Sequence, residues 1–478
     1  MKKYNLLKIL GILFLVTVLL TWIIPIGTYD EAGRSVIIDA IRPLGIFDLF
    51  YVPLYSLISY AEYAVVILVI GALYGVLYKT GAYNTLVEKS SKLLKNKKTY
   101  LVISILFFSV ASSLFGLTFP LMMLCPFVIS VILALGYDKL TAFAATFGAI
   151  LIGMIGTTFG LIQMIYDGSL YSINLFERMA SGILDKIYIR LILYAIVVFL
   201  YAVLVTYRAK KEHKDKIKEE IKEKVVKKEK NNNIIPLAIC MVLLFVVSIF
   251  TMYNWDYIFS KSAFTNFDST ISSTVLGENL ALKSVLGNSL VQVGTFANLQ
   301  FIAIIFIFII LISFVYSLKF DEVVDGIVEG AKKALKVAVY VILANIVMMV
   351  VNNFSSGSFI VTIENFISGL FGKFNVITTT LFSLVGGLFY NSLYDFAVDT
   401  SIITHFIASN ELEFSVFALN LQAVFNTLMM ILPTSMVLVA GLSYLDIDYK
   451  EWIKYIWKYI LEIFIIIMIL CQITYMLF

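Results

Sequence analysis

The sequence predicts an all-α polytopic membrane protein with about nine spanning helices and two re-entrant helical hairpins, arranged as two inverted repeats. Three observations carry this. The chain is too apolar for water, its apolar runs have the length of a bilayer span, and a single charged tract divides it into halves that repeat one order of parts.

Of 478 residues, 60% are hydrophobic and 14% charged, and the mean hydropathy is +0.94. A soluble domain carries roughly 45–50% apolar and about 25% charged residues. A water-soluble enzyme is therefore excluded. Cys125, Cys240 and Cys471 all lie in apolar runs, where a thiol behaves as a small hydrophobe, so a disulfide scaffold is excluded too. The net charge of +4 is local: residues 208–230 hold 11 Lys/Arg and 6 Asp/Glu, and the remainder sums to −1. The basic balance belongs to one linker, and no nucleic-acid partner is implied.

A helix needs about 20 mostly apolar residues to cross the hydrocarbon core. Such runs fall near 6–26, 61–79, 139–160, 186–207, 234–253, 301–318, 337–352, 412–440 and 452–477. Regions 100–136 and 374–409 are each long enough to enter and return. The first run follows Lys2, Lys3 and Lys8 with no small-residue cleavage site behind it, so it reads as an uncleaved span. Lys and Arg concentrate at the N-terminus, 79–98, Lys139, 208–230, 319–336 and 450–458. These stretches share one side, which places the N-terminus in the cytoplasm and the C-terminus outside. Trp22, Trp255, Trp452 and Trp457 fall at predicted membrane interfaces.

The parts are an N-terminal repeat (1–207), a charged cytoplasmic linker (208–233) and a C-terminal repeat (234–478) with an external loop at 254–300. In the first half an amphipathic stretch (53–63) leads into an apolar one (64–78). A short interfacial stretch (82–95), the hairpin 100–136 and a span broken at Gly153, Gly156, Thr157 and Thr158 follow. In the second half 324–334 leads into 337–352, then come 359–371, the hairpin 374–409 and a span interrupted at Leu432-Pro-Thr-Ser435. Opposite orientation with the same order of parts is the pattern of an alternating-access carrier.

Polar residues stand where each hairpin turns: Ser112, Ser113, Gly116 and Thr118 in the first, Asn391, Ser392, Asp395, Asp399 and Thr400 in the second. Non-helical backbone is tolerated at membrane depth only where protein or a water-filled cavity satisfies it. Exposed helix N-termini there suit a carboxylate, and hydroxyls such as those of Thr157, Thr158, Thr434 and Ser435 suit Na+ or a polar solute. Ser, Thr and Asn also serve as glue between helices, and Gly as a close-packing residue. Asp395 and Asp399 are the sharpest signal, because a carboxylate within a span costs on the order of 2.5–3.5 kcal/mol and two at i,i+4 share a helix face. A hairpin tip at the external surface would leave both solvated. His405 stands six residues after Asp399 and is a candidate for a proton relay. No metal cluster, nucleotide loop or nucleophile–base order is visible, so no cofactor beyond a coupling Na+ or H+ is expected and no enzyme is implied.

Several segments resemble the YfcC / C4-dicarboxylate anaerobic carrier (DcuC-like) family of the ion transporter superfamily. They are Thr21-Trp-Ile-Ile-Pro-Ile-Gly27-Thr-Tyr-Asp30 with Gly33-Arg34, Gly75-Val-Leu-Tyr-Lys-Thr-Gly81-Ala and Ala134-Leu-Gly-Tyr-Asp138-Lys-Leu. Asp325-Gly-Ile-Val-Glu-Gly-Ala331-Lys, Phe425-Asn426 with Leu432-Pro-Thr-Ser435, and Tyr449-Lys-Glu-Trp452 complete the ordered set, which runs from about 10 to 460. The resemblance implies two inverted repeats, with substrate and coupling ion held at hairpin tips and broken helices. It implies carriage of C4-dicarboxylates, or of amino acids such as arginine and ornithine in some relatives, and a homodimer. The chain departs from the family pattern at three places. Phe119 and Pro120 stand where the first hairpin usually has two glutamates, Asn391-Ser-Leu-Tyr-Asp395 replaces Pro-Ser-Gly-Ser-Gly, and Leu343-Ala-Asn345-Ile replaces Gly-Leu-Ala-Arg-Gly.

The expectation is a secondary carrier of a small carboxylate-bearing solute, coupled to Na+ or H+. Gly116, Thr118, Gly156, Thr157 and Thr158 supply one half of its site and Asn391, Ser392, Asn426, Thr434 and Ser435 the other. Asp395, then Asp399, are the coupling candidates. A basic amino-acid exchanger and a non-transporting sensor or scaffold descended from a carrier are the alternatives.

Overall fold

A computed structural model describes residues 5–30, 35–93, 96–159, 186–210, 233–259, 262–276, 280–287, 290–351, 357–372, 374–409 and 413–477. Most of the charged linker falls outside the described residues. The chain is a polytopic helical membrane protein. Among the described residues, seven stretches are helical, apolar and long enough to cross a membrane: Ala61–Lys79, Lys97–Phe115, Ile187–Arg208, Ile235–Met252, Asn298–Val315, Phe320–Val351 and Tyr449–Leu477. The other expected spans are built from shorter pieces.

Helix α1 (Asn5–Thr21) runs into a small antiparallel hairpin, β1 (Gly27–Tyr29) with β2 (Val36–Ile38), in the register Thr28 opposite Ile37. Then come α2 (Asp48–Ser59) and α3 (Ala61–Lys79), separated at Tyr60, and the short α4 (Ala82–Lys92). The first long hairpin is α5 (Lys97–Phe115) and α6 (Thr118–Ala134). Gly116 makes its turn at φ +66°, a left-handed conformation that a side chain would strain, and donates its N–H to the Ser112 carbonyl at 3.0 Å. The Asp138 carboxylate accepts from Thr141 N–H at 2.9 Å and starts α7 (Lys139–Ala144), which is followed by α8 (Phe147–Ile155). Helix α8 ends at Gly156, and α9 (Ile187–Arg208) closes the first half.

In the second half α10 (Ile235–Met252) precedes the polar loop, which holds short helices at Trp255–Ile258, Ala263–Ser273 and Leu282–Leu286. One side chain ties several of its parts together. Asp256 accepts from the backbone N–H groups of Phe264 (2.9 Å) and Thr265 (2.8 Å) and from the Thr265 hydroxyl (2.9 Å). Helix α11 (Asn298–Val315) leads to α12 (Phe320–Ala344), which makes the amphipathic lead-in and the span one continuous rod, capped by α13 (Ile346–Val351). Helix α14 (Phe359–Phe371) falls on the interfacial stretch expected there. The second hairpin is α15 (Val376–Phe389), a break at Tyr390–Ser392, then α16 (Leu393–Asp399) and α17 (Ile402–Ser409). It is shallower than the first, with 14 residues in α15 against 19 in α5. Helices α18 (Phe414–Met429) and α19 (Met436–Leu445) flank the Leu432-Pro-Thr-Ser435 interruption, and α20 (Tyr449–Leu477) ends the chain.

The tightest packing joins the halves. Gly71 and Gly75 of α3 face Gly326 and Gly330 of α12, each pair spaced as Gly-x-x-x-Gly, and the backbones touch. A Cβ on Gly75 would stand 1.9 Å from the Gly326 carbonyl oxygen, and one on Gly330 would stand 2.1 Å from that of Gly71. Elsewhere Trp452 differs from its expected role as an interfacial anchor. It is fully buried, donates Nε1–H to the Met430 carbonyl at 2.7 Å, and packs edge-on to Phe143 at 4.7 Å, so it fastens α20 to the broken helix. Trp22 and Trp457 are exposed, as interfacial residues are.

Gly75→Leu is expected to abolish recovery of folded protein from detergent, because the α3–α12 contact has no volume for it and overpacking costs about 1–3 kcal/mol even where relaxation is available. Gly369→Ala, with nothing within 4 Å of the added carbon, is expected to leave the melting temperature level or raise it, since Ala favours a helix by about 1 kcal/mol. Size-exclusion profiles and thermal unfolding check both.

Candidate functional site

The first group of expected residues comes together where the tip of α5 meets the end of α8. Ser113 Oγ donates to the Gly156 carbonyl at 2.8 Å and lies 3.2 Å from Thr158 Oγ1. Thr158 returns its N–H (3.0 Å) and its hydroxyl (3.1 Å) to the Ser113 carbonyl. Ser112 Oγ donates to the Ile150 carbonyl at 2.9 Å, and Thr157 Oγ1 to that of Met154 at 2.6 Å. Gly116 turns the hairpin and Thr118 is the first, half-buried residue of α6.

Helix α8 stops inside protein, so its last carbonyls need donors. Both halves of the chain supply them. From α18, Asn426 Nδ2 donates to Met154 O at 3.0 Å, and Gln422 Nε2 to Met154 O (2.6 Å) and Ile155 O (3.2 Å). From α9, Arg190 Nη1 donates to Thr157 O at 3.2 Å and to Gln422 Oε1. Residues separated by more than 230 positions thus share one broken helix end.

The remaining expected residues gather around the second hairpin. Asn391 donates to the side chain of Asn345, which is fully buried at the α12–α13 junction and itself donates to Val341 O at 2.7 Å. Thr434 Oγ1 donates to Gly387 O at 3.3 Å, tying the α18–α19 break to α15. Ser435 Oγ accepts from Leu438 N–H at 3.4 Å and starts α19. Ser392 Oγ accepts from Asp395 N–H at 3.3 Å. Both aspartates lie on α16; Asp395 is half-buried and Asp399 exposed, and Tyr60 and Tyr390 interact electrostatically with both. Phe396, between them, packs on Gly386 and stacks with Phe425 at 6.2 Å, which brings the hairpin against the helix that carries Asn426.

His405 is buried. Its ring stacks on Tyr29 of β1 (centroids 4.5 Å apart, 22° between planes), and Tyr29 donates its hydroxyl to Glu364 Oε2 at 3.1 Å. Arg190 and Glu364 are the fully buried members of the Lys, Arg, Asp and Glu set among the described residues. Both escape sequence reasoning, as do Gln422, Asn345 and Tyr29. Arg190 leaves a legible signal, a lone charge inside the apolar run of α9, and Gln422 stands one turn from Asn426 on α18.

Broken helices that meet around buried polar side chains are a construction common to membrane transporters. The model of the C4-dicarboxylate anaerobic carrier family, DcuC, matches residues 5–476, and the chain belongs to that family. It acts on a small molecule within a lipid bilayer by transport, not catalysis. No curated protein matches the chain. Among solved structures, the YdaH transporter of Alcanivorax borkumensis is similar at 14% identity and a TM-score of 0.38, over 97% of each chain. MtrF of Neisseria gonorrhoeae, described as illuminating a class of antimetabolite efflux pumps, is similar at 13% identity and a TM-score of 0.39, over 97% of this chain and 94% of that one.

Gln422→Leu removes both the donors to the end of α8 and an acceptor of a buried cation. Leaving a buried polar group without its partner costs about 1–3 kcal/mol, and several lose one here, so this variant is expected to melt well below the parent. Ser112→Ala, which removes one hydroxyl–carbonyl bond, is expected to cost about 1 kcal/mol. Tryptophan fluorescence on heating in detergent checks the ranking, and equal losses would contradict it.

Proposed function

We propose that this chain is a secondary active carrier of the cytoplasmic membrane. It moves a small carboxylate-bearing solute by alternating access, coupled to Na+ or H+. The observation that carries this reading is the meeting of a hairpin tip (Ser112, Ser113) with a helix broken at Gly156–Thr158, capped from the other half of the chain by Gln422 and Asn426. A second set, Asn345, Asn391 and Thr434, plays the same part around the second hairpin. Such joints hold few regular hydrogen bonds, and they exchange partners when one block of helices moves against another. The α3–α12 glycine contact is the natural fixed element, because it leaves no slack for sliding.

The N-terminus is cytoplasmic and the C-terminus external in this reading, as the Lys/Arg distribution favours. Asp395 is the coupling residue: it is half-buried beside the hairpin break, whereas Asp399 is exposed. The C4-dicarboxylates named by the family are the first solutes to try.

In proteoliposomes, succinate uptake is expected to need an imposed Na+ or proton gradient, and Asp395→Asn is expected to abolish or shift that dependence while protein yield is kept. Uptake indifferent to both gradients would contradict coupling. Uptake whose ion dependence survives Asp395→Asn would remove this residue from the mechanism.

A further inference from the structure

We propose that Arg190 is the anchor for one carboxylate of the transported solute. The proposal rests on the carrier reading above and names the group that selects an anion.

Arg190 is 3% exposed, near the start of α9, inside a helix with the length and apolarity of a span. An ionisable group in that position is retained for a partner. The guanidinium carries five N–H donors in a planar fork and no acceptor. Nη1 is engaged by Thr157 O and Gln422 Oε1, but Nη2 is buried with no hydrogen-bond partner. Among the described residues Arg190 joins no salt bridge, and the charged neighbour one turn earlier, Lys186, is already paired with Glu413. Glu364, the other fully buried charge, pairs with Tyr29 and not with Arg190.

The neutral contacts explain part of the placement. A cation at the end of α8 is favoured by the helix dipole. A structural cap, however, needs only the Nη1 edge. This guanidinium, with its bare Nη2 edge, has no counter-charge among the described residues to offset its desolvation. A carboxylate is the group whose two oxygens match that fork. Ser113 and Thr158 already spend their hydroxyl protons on the Gly156 and Ser113 carbonyls, so of these three side chains Arg190 is the one that keeps donors to spare. The same positive charge disfavours an amine at this point, which selects against basic solutes.

The test uses the full chain in detergent, titrated with succinate, with butyrate and with the neutral isostere succinamide, for the parent, Arg190→Gln and Arg190→Lys. The parent is expected to bind succinate and not succinamide. Arg190→Gln is expected to lose about 10- to 100-fold in succinate affinity, the range of a hydrogen-bonded charge contact. Its ligand-free melting temperature is expected to stay close to the parent's, because the amide can still donate to the Thr157 carbonyl that Arg190 holds while the cost of a desolvated charge is gone. Arg190→Lys keeps the charge without the fork and is expected to fall between the two; it decides the matter if Arg190→Gln does not fold. Unchanged succinate affinity in a folded variant overturns the proposal and leaves the carrier reading standing. So does a parent that binds succinamide as well as succinate, or one that binds neither but takes up a neutral or cationic solute. Arginine-dependent succinate binding with no gradient-driven uptake upholds the anion site and overturns the carrier reading.

Discussion

A helix that stops inside protein leaves its last carbonyl groups in need of donors, and much of this structure is arranged around that constraint at the end of α8. The chain meets it with side chains from far along the sequence. Ser113 comes up on α5, Arg190 across on α9, and Gln422 and Asn426 down on α18. Once these four are required at one point, the crossing of α8 with α18, the depth of the first hairpin and the course of α9 follow. Other hydroxyls in the apolar hairpins, such as those of Ser104, Ser130, Thr380 and Ser383, donate to the carbonyl four residues back in their own helix and take no part in this arrangement.

A second contact holds the halves together without any polar group. Gly71, Gly75, Gly326 and Gly330 let two backbones touch over a full helical turn, and no larger residue fits there. In a bilayer the hydrophobic effect does not drive helices together, so close packing of this kind is what association rests on. The two helices come from either side of the charged tract. One contact is therefore dry and rigid, and the other is polar and jointed. That division suits a protein in which one block is fixed and another moves.

Much of this was legible in the sequence, and the reasons differ by element. Pro433 with its neighbours marks the α18–α19 break because proline cannot continue a hydrogen-bond ladder, and α14 falls on the 359–371 stretch picked out by the order of parts. Ser113, Thr157, Thr158 and Asn426 stand out as polar residues in apolar surroundings, and they do meet. Their partners do not stand out. The pairing of Asn345 with Asn391 joins two distant breaks, and periodicity along a chain says nothing about such a meeting. Trp452 is misread for a related reason: an indole near a helix start suits an interface, but here the Met430 carbonyl, freed by the nearby break, takes its N–H. Arg190 is visible as an oddity within its span, yet its meaning depends on which edge of the guanidinium is engaged, and only the folded geometry shows that.

The most direct test of the account is access to the joint between α5 and α8. Ser113 would be replaced by cysteine after Cys125, Cys240 and Cys471 are removed, and the oriented proteoliposomes treated with a membrane-impermeant thiol reagent from one side or the other. The account predicts labelling from both sides, with the balance shifted by the coupling ion and the rate lowered by the transported carboxylate. Labelling from one side alone under every ion and solute condition would contradict it.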